Sequence, residues 1–329
     1  MFKHIRRANL VSVCVKRDFF WGRKKEPEVQ DPPKSRDVPK EETHAEKKPF
    51  PFQAQHGSKL PKQKPLPGIK HVVVVASGKG GVGKSTVATN LALAFSKMNK
   101  SVGILDADIY GPSIHRMMNV PGRPEVNDET NKMIPKSNYG VKVLSMGNLI
   151  EEDAPTIWRG PLVMGALDQL LRQVEWGELD ILVMDFPPGT GDVQLSTAQN
   201  VSVSGAVVVS TPQDIALIDA RRGTNMFRKV GIDVLGVVEN MSYHICTNCG
   251  NTSHIFGHGG ARETAKEMEL DFLGEIPLNA MIRENSDKGT PPVMVDPNNV
   301  CVVPFLEIAQ KILQKLDEVD NTGPKIIIE

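Results

Sequence analysis

Residues 78–85 read Gly-Lys-Gly-Gly-Val-Gly-Lys-Ser, directly after the apolar run His71-Val72-Val73-Val74-Val75-Ala76. This order restricts the chain to very few folds. It is the pattern G-x-x-x-x-G-K-[ST] in a strand–loop–helix context, the P-loop arrangement. Glycines let backbone N–H groups turn inward and approach phosphate oxygens with no Cβ in the way. Lys84 is placed to neutralise the β- and γ-phosphates, and the Ser85 hydroxyl to ligate Mg²⁺. Thr86 onward reads as a helix whose N-terminus faces the anion. Gly78, Lys79, Gly80, Gly81, Val82, Gly83, Lys84, Ser85 and Thr86 are therefore candidate nucleotide-binding residues, with ATP and Mg²⁺ as the expected ligands.

The chain has 329 residues, 40% hydrophobic and 24% charged, ordinary values for a globular protein. Charge is zero overall but uneven. Residues 1–25 carry eight Lys or Arg against Asp18 alone, a net of +7, which leaves −7 for the rest. An acidic body argues against a nucleic-acid partner. The basic, acid-poor start with interspersed Ile5, Leu10, Val11, Phe19 and Phe20 reads as a mitochondrial transit peptide, and so as a matrix protein. No run of 18 apolar residues occurs, so no transmembrane helix is expected.

Residues 26–67 hold nine prolines among Lys and Glu, too little apolar surface to offset ordering entropy, and read as a disordered linker. From Gly68 the pattern changes. Apolar runs at 71–76, 101–106, 141–146, 179–185, 205–211, 233–239 and 271–275 alternate with helical stretches. The clearest helices are 84–98, 162–174, 214–230, 261–269 and about 303–317. Alternating β and α with near-continuous Val/Ile/Leu strands predicts one α/β domain over 68–317, followed by a tail at 318–329. Its sheet should be mostly parallel, with helices on both faces.

Three more segments carry chemistry. Leu105-Asp106-Ala107-Asp108 puts two carboxylates at a strand end, where such sheets bind ligands. Asp108 is the candidate for positioning the attacking water and Asp106 for the Mg²⁺ shell. Leu182-Val183-Met184-Asp185 is an apolar strand ending in an acid, with Asp185 placed to hold Mg²⁺ through water. The Pro- and Gly-rich run Phe186–Asp192 after it suits a γ-phosphate switch. No arginine finger is evident, so hydrolysis is expected to be slow.

Cys246-Thr247-Asn248-Cys249-Gly250 is the other informative motif. Two thiolates at this spacing can share one metal or cluster edge. A zinc site that also uses His254 and His258, a redox dithiol and a metal-free pair are the alternatives to an iron–sulfur cluster. A [4Fe–4S] cluster needs four thiolates, so two per chain implies a two-fold dimer. Cys301, in an apolar run, reads as an inert buried thiol.

Lys79 resembles the signature lysine of the deviant Walker A ATPases, the MinD and ParA group, which reaches across a dimer interface to the partner's nucleotide. The resemblance implies catalytic parts for Lys79, Lys84 and Asp108, and an adenine contact for Asn240 at the end of Val238-Glu239-Asn240. Taken with Asp106–Ser113, Asp185–Asp192, Trp158–Pro161, Ser210–Asp214 and the cysteine pair, the chain resembles the Mrp-type iron–sulfur carrier branch. That implies a [4Fe–4S] cluster held between two subunits by Cys246 and Cys249 and delivered to apo-proteins. The basic leader is similar to that of the mitochondrial members, which serve assembly of respiratory complex I. Cytosolic relatives carry an extra cysteine cluster before the P-loop, where this chain has only Cys14. Phe186 departs from the Met, Val or Thr expected there. The rival reading is a MinD/ParA-like ATP switch with the cysteine pair as a zinc clip.

Overall fold

The computed structural model describes residues 65–149 and 160–322. The expected leader, most of the expected linker, and Trp158 and Arg159 lie outside the described residues. In the first half, β1 (Ile69–Ala76), α1 (Lys84–Lys97), β2 (Val102–Asp106), α2 (Ile114–Met117), β3 (Glu125–Val126) and β4 (Met133–Ile134) follow in order. Then come β5 (Lys136–Asn138), β6 (Val141–Ser145), a 3-10 turn (Met146–Asn148), α3 (Gly160–Arg172), β7 (Leu179–Asp185) and α4 (Asp192–Asn200). The second half runs β8 (Gly205–Ser210), α5 (Asp214–Lys229), β9 (Val234–Asn240), β10 (His244–Ile245), β11 (Thr252–Ser253) and α6 (Gly260–Glu267). It closes with β12 (Phe272–Ile276), α7 (Ala280–Asp287), α8 (Pro292–Val295) and α9 (Val303–Thr322).

The main sheet has the order β12-β9-β8-β1-β7-β2-β6-β5. All its neighbours are parallel except β5, which pairs antiparallel with β6. Period-2 alternation explains why both faces are apolar. Val73 and Val75 of β1 and Ile181 and Val183 of β7 point into one core with α1 and α9, through Leu91, Phe95, Phe305 and Ile312. Val72, Val74, Leu182 and Met184 point into the opposite core with Leu167, Leu170 and Phe227 from α3 and α5. Each such fully buried side chain contributes roughly 1.5–3 kcal/mol. Helix α1 is buried almost all round because it is wedged between the sheet and α9, and Ala88, Ala92 and Ala94 permit the close approach.

Strand β1 sits between β7 and β8, and the chain leaves it toward β2 before returning to β8 on the other side. That reversal makes the carboxyl end of β1 a topological switch point, where open α/β sheets place ligands. The differences from the sequence reading are local. Helix α9 continues to Thr322, past the expected end at 317, and Leu66, expected in the linker, is packed at 4% exposure. Helix α4 begins where the switch run was expected to end, and the hairpins β3–β4 and β10–β11 are too short to show an apolar period. Among the described residues no helix is long and apolar enough to cross a membrane.

Candidate functional site

The loop after β1 turns into α1 with Gly83 at the N-cap and no side chain capping the helix. The first-turn N–H groups of α1 are thus left for an anion. They open into a cleft of about 750 Å³ lined by Gly80, Lys84, Ser85, Asp108, Pro188 and Asn240, with Asn279 and Arg283 on its far wall. Lys79 is exposed beside the cleft, and its carbonyl accepts a hydrogen bond from the Ser77 hydroxyl at 2.9 Å.

Lys84 is buried, and its ammonium donates to Asp185 Oδ1 at 2.6 Å and lies 3.8 Å from Asp108. Asp185 Oδ2 is buried with no hydrogen-bond partner at normal geometry, and the nearby Ser85 hydroxyl favours the ionised carboxylate. Burial pushes the Asp185 carboxyl up to about 7; the Lys84 charge opposes this and the nearby Asp106 carboxylate adds to it. A hard cation would reverse that penalty. A buried orphan carboxylate oxygen beside a serine hydroxyl therefore fits Mg²⁺.

Asp106, expected in the Mg²⁺ shell, has both carboxylate oxygens engaged by protein donors. Its Oδ2 accepts from the Ser113 and Ile114 backbone N–H groups at 2.9 and 3.0 Å and from the Ser145 hydroxyl at 2.8 Å. Its Oδ1 accepts from the Asp108 N–H at 3.1 Å. Burial still raises its pKa against those donors. With both oxygens engaged, Asp106 shapes the 106–114 loop and so aims Asp108 at the cleft. Asn240 ends β9, and its amide donates to the Val82 carbonyl at 2.8 Å, bracing the phosphate loop from across the sheet.

The switch run is anchored at its start and its middle. Phe186 N–H donates to Val75 O at 3.0 Å and Gly189 N–H to Ser77 O at 2.9 Å. The Phe186 ring is fully buried, tilted 44° against Phe227 at 6.3 Å, so the unexpected aromatic fills the core under α5. Gln194 of α4 donates to the Pro188 carbonyl at 2.6 Å and was not singled out in the sequence. The segment Asp192–Asn200 has too few apolar residues to show a helical period, although a glutamine soon after a Pro-Pro-Gly turn was the available signal.

The two cysteines sit on the turn joining β10 and β11, where His244 pairs with Ser253 and Ile245 with Thr252. Cys246 N–H donates to Asn251 O at 2.9 Å and Gly250 N–H to Cys246 O at 2.8 Å. Gly250 takes φ +71°, a left-handed turn residue that bends the chain back over the first thiol. The Cys249 and Asn248 backbone N–H groups, with the Cys249 thiol, lower the pKa of the Cys246 thiol. Cys246 is half-buried and Cys249 exposed. His254 and His258 approach each other instead, with Nδ1 atoms 3.2 Å apart, and no group of three or more potential ligands forms among the described residues. The fold thus offers a soft-metal ligand pair with donors already turned toward sulfur. Cys301 is buried and accepts a hydrogen bond from the Asn279 amide at 3.2 Å.

Residues 68–313 match the family described as ParA: NUBPL iron-transfer P-loop NTPase. The chain belongs to this family. Its relatives include the iron-sulfur cluster transfer protein NUBPL of Mus musculus, 56% identical over 78% of this chain and 81% of that protein. The iron-sulfur protein required for NADH dehydrogenase of Arabidopsis thaliana is 54% identical over 77% and 81% of the two chains. Among solved structures, the nucleotide-binding protein of Archaeoglobus fulgidus in complex with ADP is 39% identical, with TM-score 0.62, over 71% of this chain and 91% of its own. Pyrococcus furiosus MinD, at 21% identity and TM-score 0.55, shares the fold. The NUBPL-family domain is therefore a P-loop NTPase fold of the MinD/ParA type.

Proposed function

We propose that this chain is an ATP-dependent carrier that holds a [4Fe–4S] cluster between two copies of itself, through Cys246 and Cys249 of each, and passes it to apo-proteins. Subunits of respiratory complex I in the mitochondrial matrix are the proposed recipients. In this reading residues 1–25 are a removable leader, 26–67 a linker, 68–317 the carrier domain and 318–329 its tail. The relatives' names, iron–sulfur cluster transfer and a requirement for NADH dehydrogenase, support the cargo and its destination.

One observation carries the reading: the hydrogen-bonded Cys246–Cys249 turn. Its N–H groups favour the thiolate, which is the metal-binding form. One chain brings no third ligand to it among the described residues, so a four-thiolate cluster requires a second copy. Two ligands from each side make the cargo easier to surrender than four from one chain.

At the cleft, Gly78 to Thr86 cradle the phosphates, with Lys84 turned from Asp185 toward them and Lys79 free to reach a partner's nucleotide. Ser85 and Asp185 are the residues that would hold Mg²⁺. Mg²⁺ held there would offset phosphate charge during transfer. Asp106 sets the loop, Asp108 orients water for slow hydrolysis, and Asn240 contacts the base while holding Val82.

Iron and sulfide analysis with Mössbauer spectroscopy on anaerobically reconstituted protein tests this. Four irons per dimer, lost in Cys249→Ala, are expected. One zinc per monomer with no retained iron would reduce the turn to a structural clip. A cytosolic signal from a fluorescent fusion of residues 1–30 would remove the matrix assignment.

A further inference from the structure

Glu239 has no part in any contact described so far, yet its side chain is completely buried one residue before Asn240. Its Oε1 accepts from the Ser242 hydroxyl at 2.5 Å, and its Oε2 accepts from the Ala261 N–H at 2.8 Å. Ala261 lies in the first turn of α6, whose N-cap Gly259 has no side chain to do the capping. A strand residue thus caps a helix and holds a serine at once.

Ser242 is the node. It is fully buried, its N–H donates to Ile276 O at 3.0 Å, and its carbonyl accepts from His254 Nδ1 at 3.2 Å. The segment between Ser242 and His254 is the cysteine hairpin, so this last contact closes the hairpin at its root. The same strand is fixed further along: Leu278 N–H donates to Tyr243 O at 2.7 Å, and His244 Nδ1 to Leu278 O at 3.0 Å. Leu278 and its neighbours Pro277 and Asn279 line the nucleotide cleft, as do Asn240 and Met241 on the Glu239 side. Met241 sits at φ +56°, a left-handed conformation costly for methionine, so the short link from cleft to hairpin has little slack.

We propose that Glu239, acting through Ser242, is the positioning residue that couples the nucleotide cleft to the cysteine hairpin, so that ATP binding sets how readily the cluster leaves. The proposal rests on the carrier reading above. Glu239 touches neither nucleotide nor cluster; it fixes the angle at which the hairpin root leaves the cleft wall. Removing one of its two acceptor interactions frees the root while leaving the phosphate loop and both thiols in place.

The test uses full-length protein loaded with cluster and measures transfer to apo-aconitase with and without Mg·ATP, for wild type, Glu239→Gln, Ser242→Ala and Ser242→Thr. Mg·ATP should change the wild-type transfer rate by on the order of tenfold, a coupling of ordinary size. Glu239→Gln and Ser242→Ala should keep cluster content and ATP affinity but lose that response. The double variant should behave like either single one, and Ser242→Thr, which keeps the hydroxyl, should retain the response. A wild type that responds to ATP, with both variants responding equally, overturns the inference and leaves the carrier reading intact. A wild type that holds no cluster removes both. Should Glu239→Gln fail to fold, hydrogen exchange on the wild type decides: Mg·ATP must alter protection of the Cys246 and Gly250 amides, and unchanged protection overturns the coupling.

Discussion

Raising the pH should destabilise the protein in the absence of nucleotide, and Asp185 should be the reason. Its carboxyl moves from 3.8 in the unfolded chain to about 7 in the fold. That displacement corresponds to ~4 kcal/mol between the two protonation states. Folded, the group keeps its proton up to about pH 7; unfolded, it gives the proton up near 3.8. Unfolding therefore releases a proton in between. The stability associated with the protonated form is complete below the unfolded value and is lost as pH rises through about 7. Asp185→Asn removes the titration while keeping the shape. It also leaves the Lys84 ammonium a neutral amide oxygen in place of the carboxyl group at 2.6 Å, so the slope with pH is the readout and the offset is not. Asp106 is raised by burial as well and interacts with Asp185, so the difference between the two profiles reports on the pair. Between pH 4.5 and 8 the wild type should lose about 3 kcal/mol of unfolding free energy relative to the variant in urea denaturation, or roughly 6–12 °C in thermal midpoint for a domain of this size. Parallel profiles across the interval would refute the argument that burial sets this carboxyl.

Other substitutions probe the same cleft. A Cβ at residue 78 would lie 2.1 Å from the Asp219 carbonyl oxygen, backbone against backbone. Gly78→Ala should therefore cost more than about 3 kcal/mol and weaken ATP binding by calorimetry, since α5 must move away from the loop. Asp106→Ala removes three hydrogen bonds within the 106–114 loop and one from Ser145, and should cost about 3 kcal/mol or more in urea denaturation. Asn240→Ala leaves the buried side of the Val82 carbonyl unpaired, at about 1–2 kcal/mol. Unchanged ATP affinity in that variant would limit Asn240 to bracing the loop.

The seven apolar runs read from the sequence are the seven parallel strands, because strands buried on both faces leave a signal that needs no tertiary information. The antiparallel edge Lys136–Asn138 left none: it is three polar residues long, and only its pairing with Val141–Val143 makes it a strand. The same limit applies within the site. The glycine-rich pattern marked Lys84 and acids near strand ends marked Asp106, Asp108 and Asp185, yet how these carboxylates are engaged depends on the 106–114 loop folding back on Asp106. Spacing between residues carries no record of that. Glu239 was passed over because a lone acid at the end of an apolar run carries no spacing signal until its two donors, from Ser242 and α6, are seen. His254 and His258 show the reverse error. Their spacing from Cys246 and Cys249 left a four-ligand zinc site open, and the fold turns both rings toward each other instead.

The hydrogen bonds aimed at Cys246 have a cost as well as a use. A sulfur that gives up its proton more readily also reacts more readily with peroxide and disulfides, and here it has a second thiol three residues away to finish the reaction. Cargo bound at this turn would shield the thiols it occupies. A pool of empty carriers would instead drift toward an oxidised, inert form, so its capacity would depend on the supply of reductant as much as on the supply of clusters.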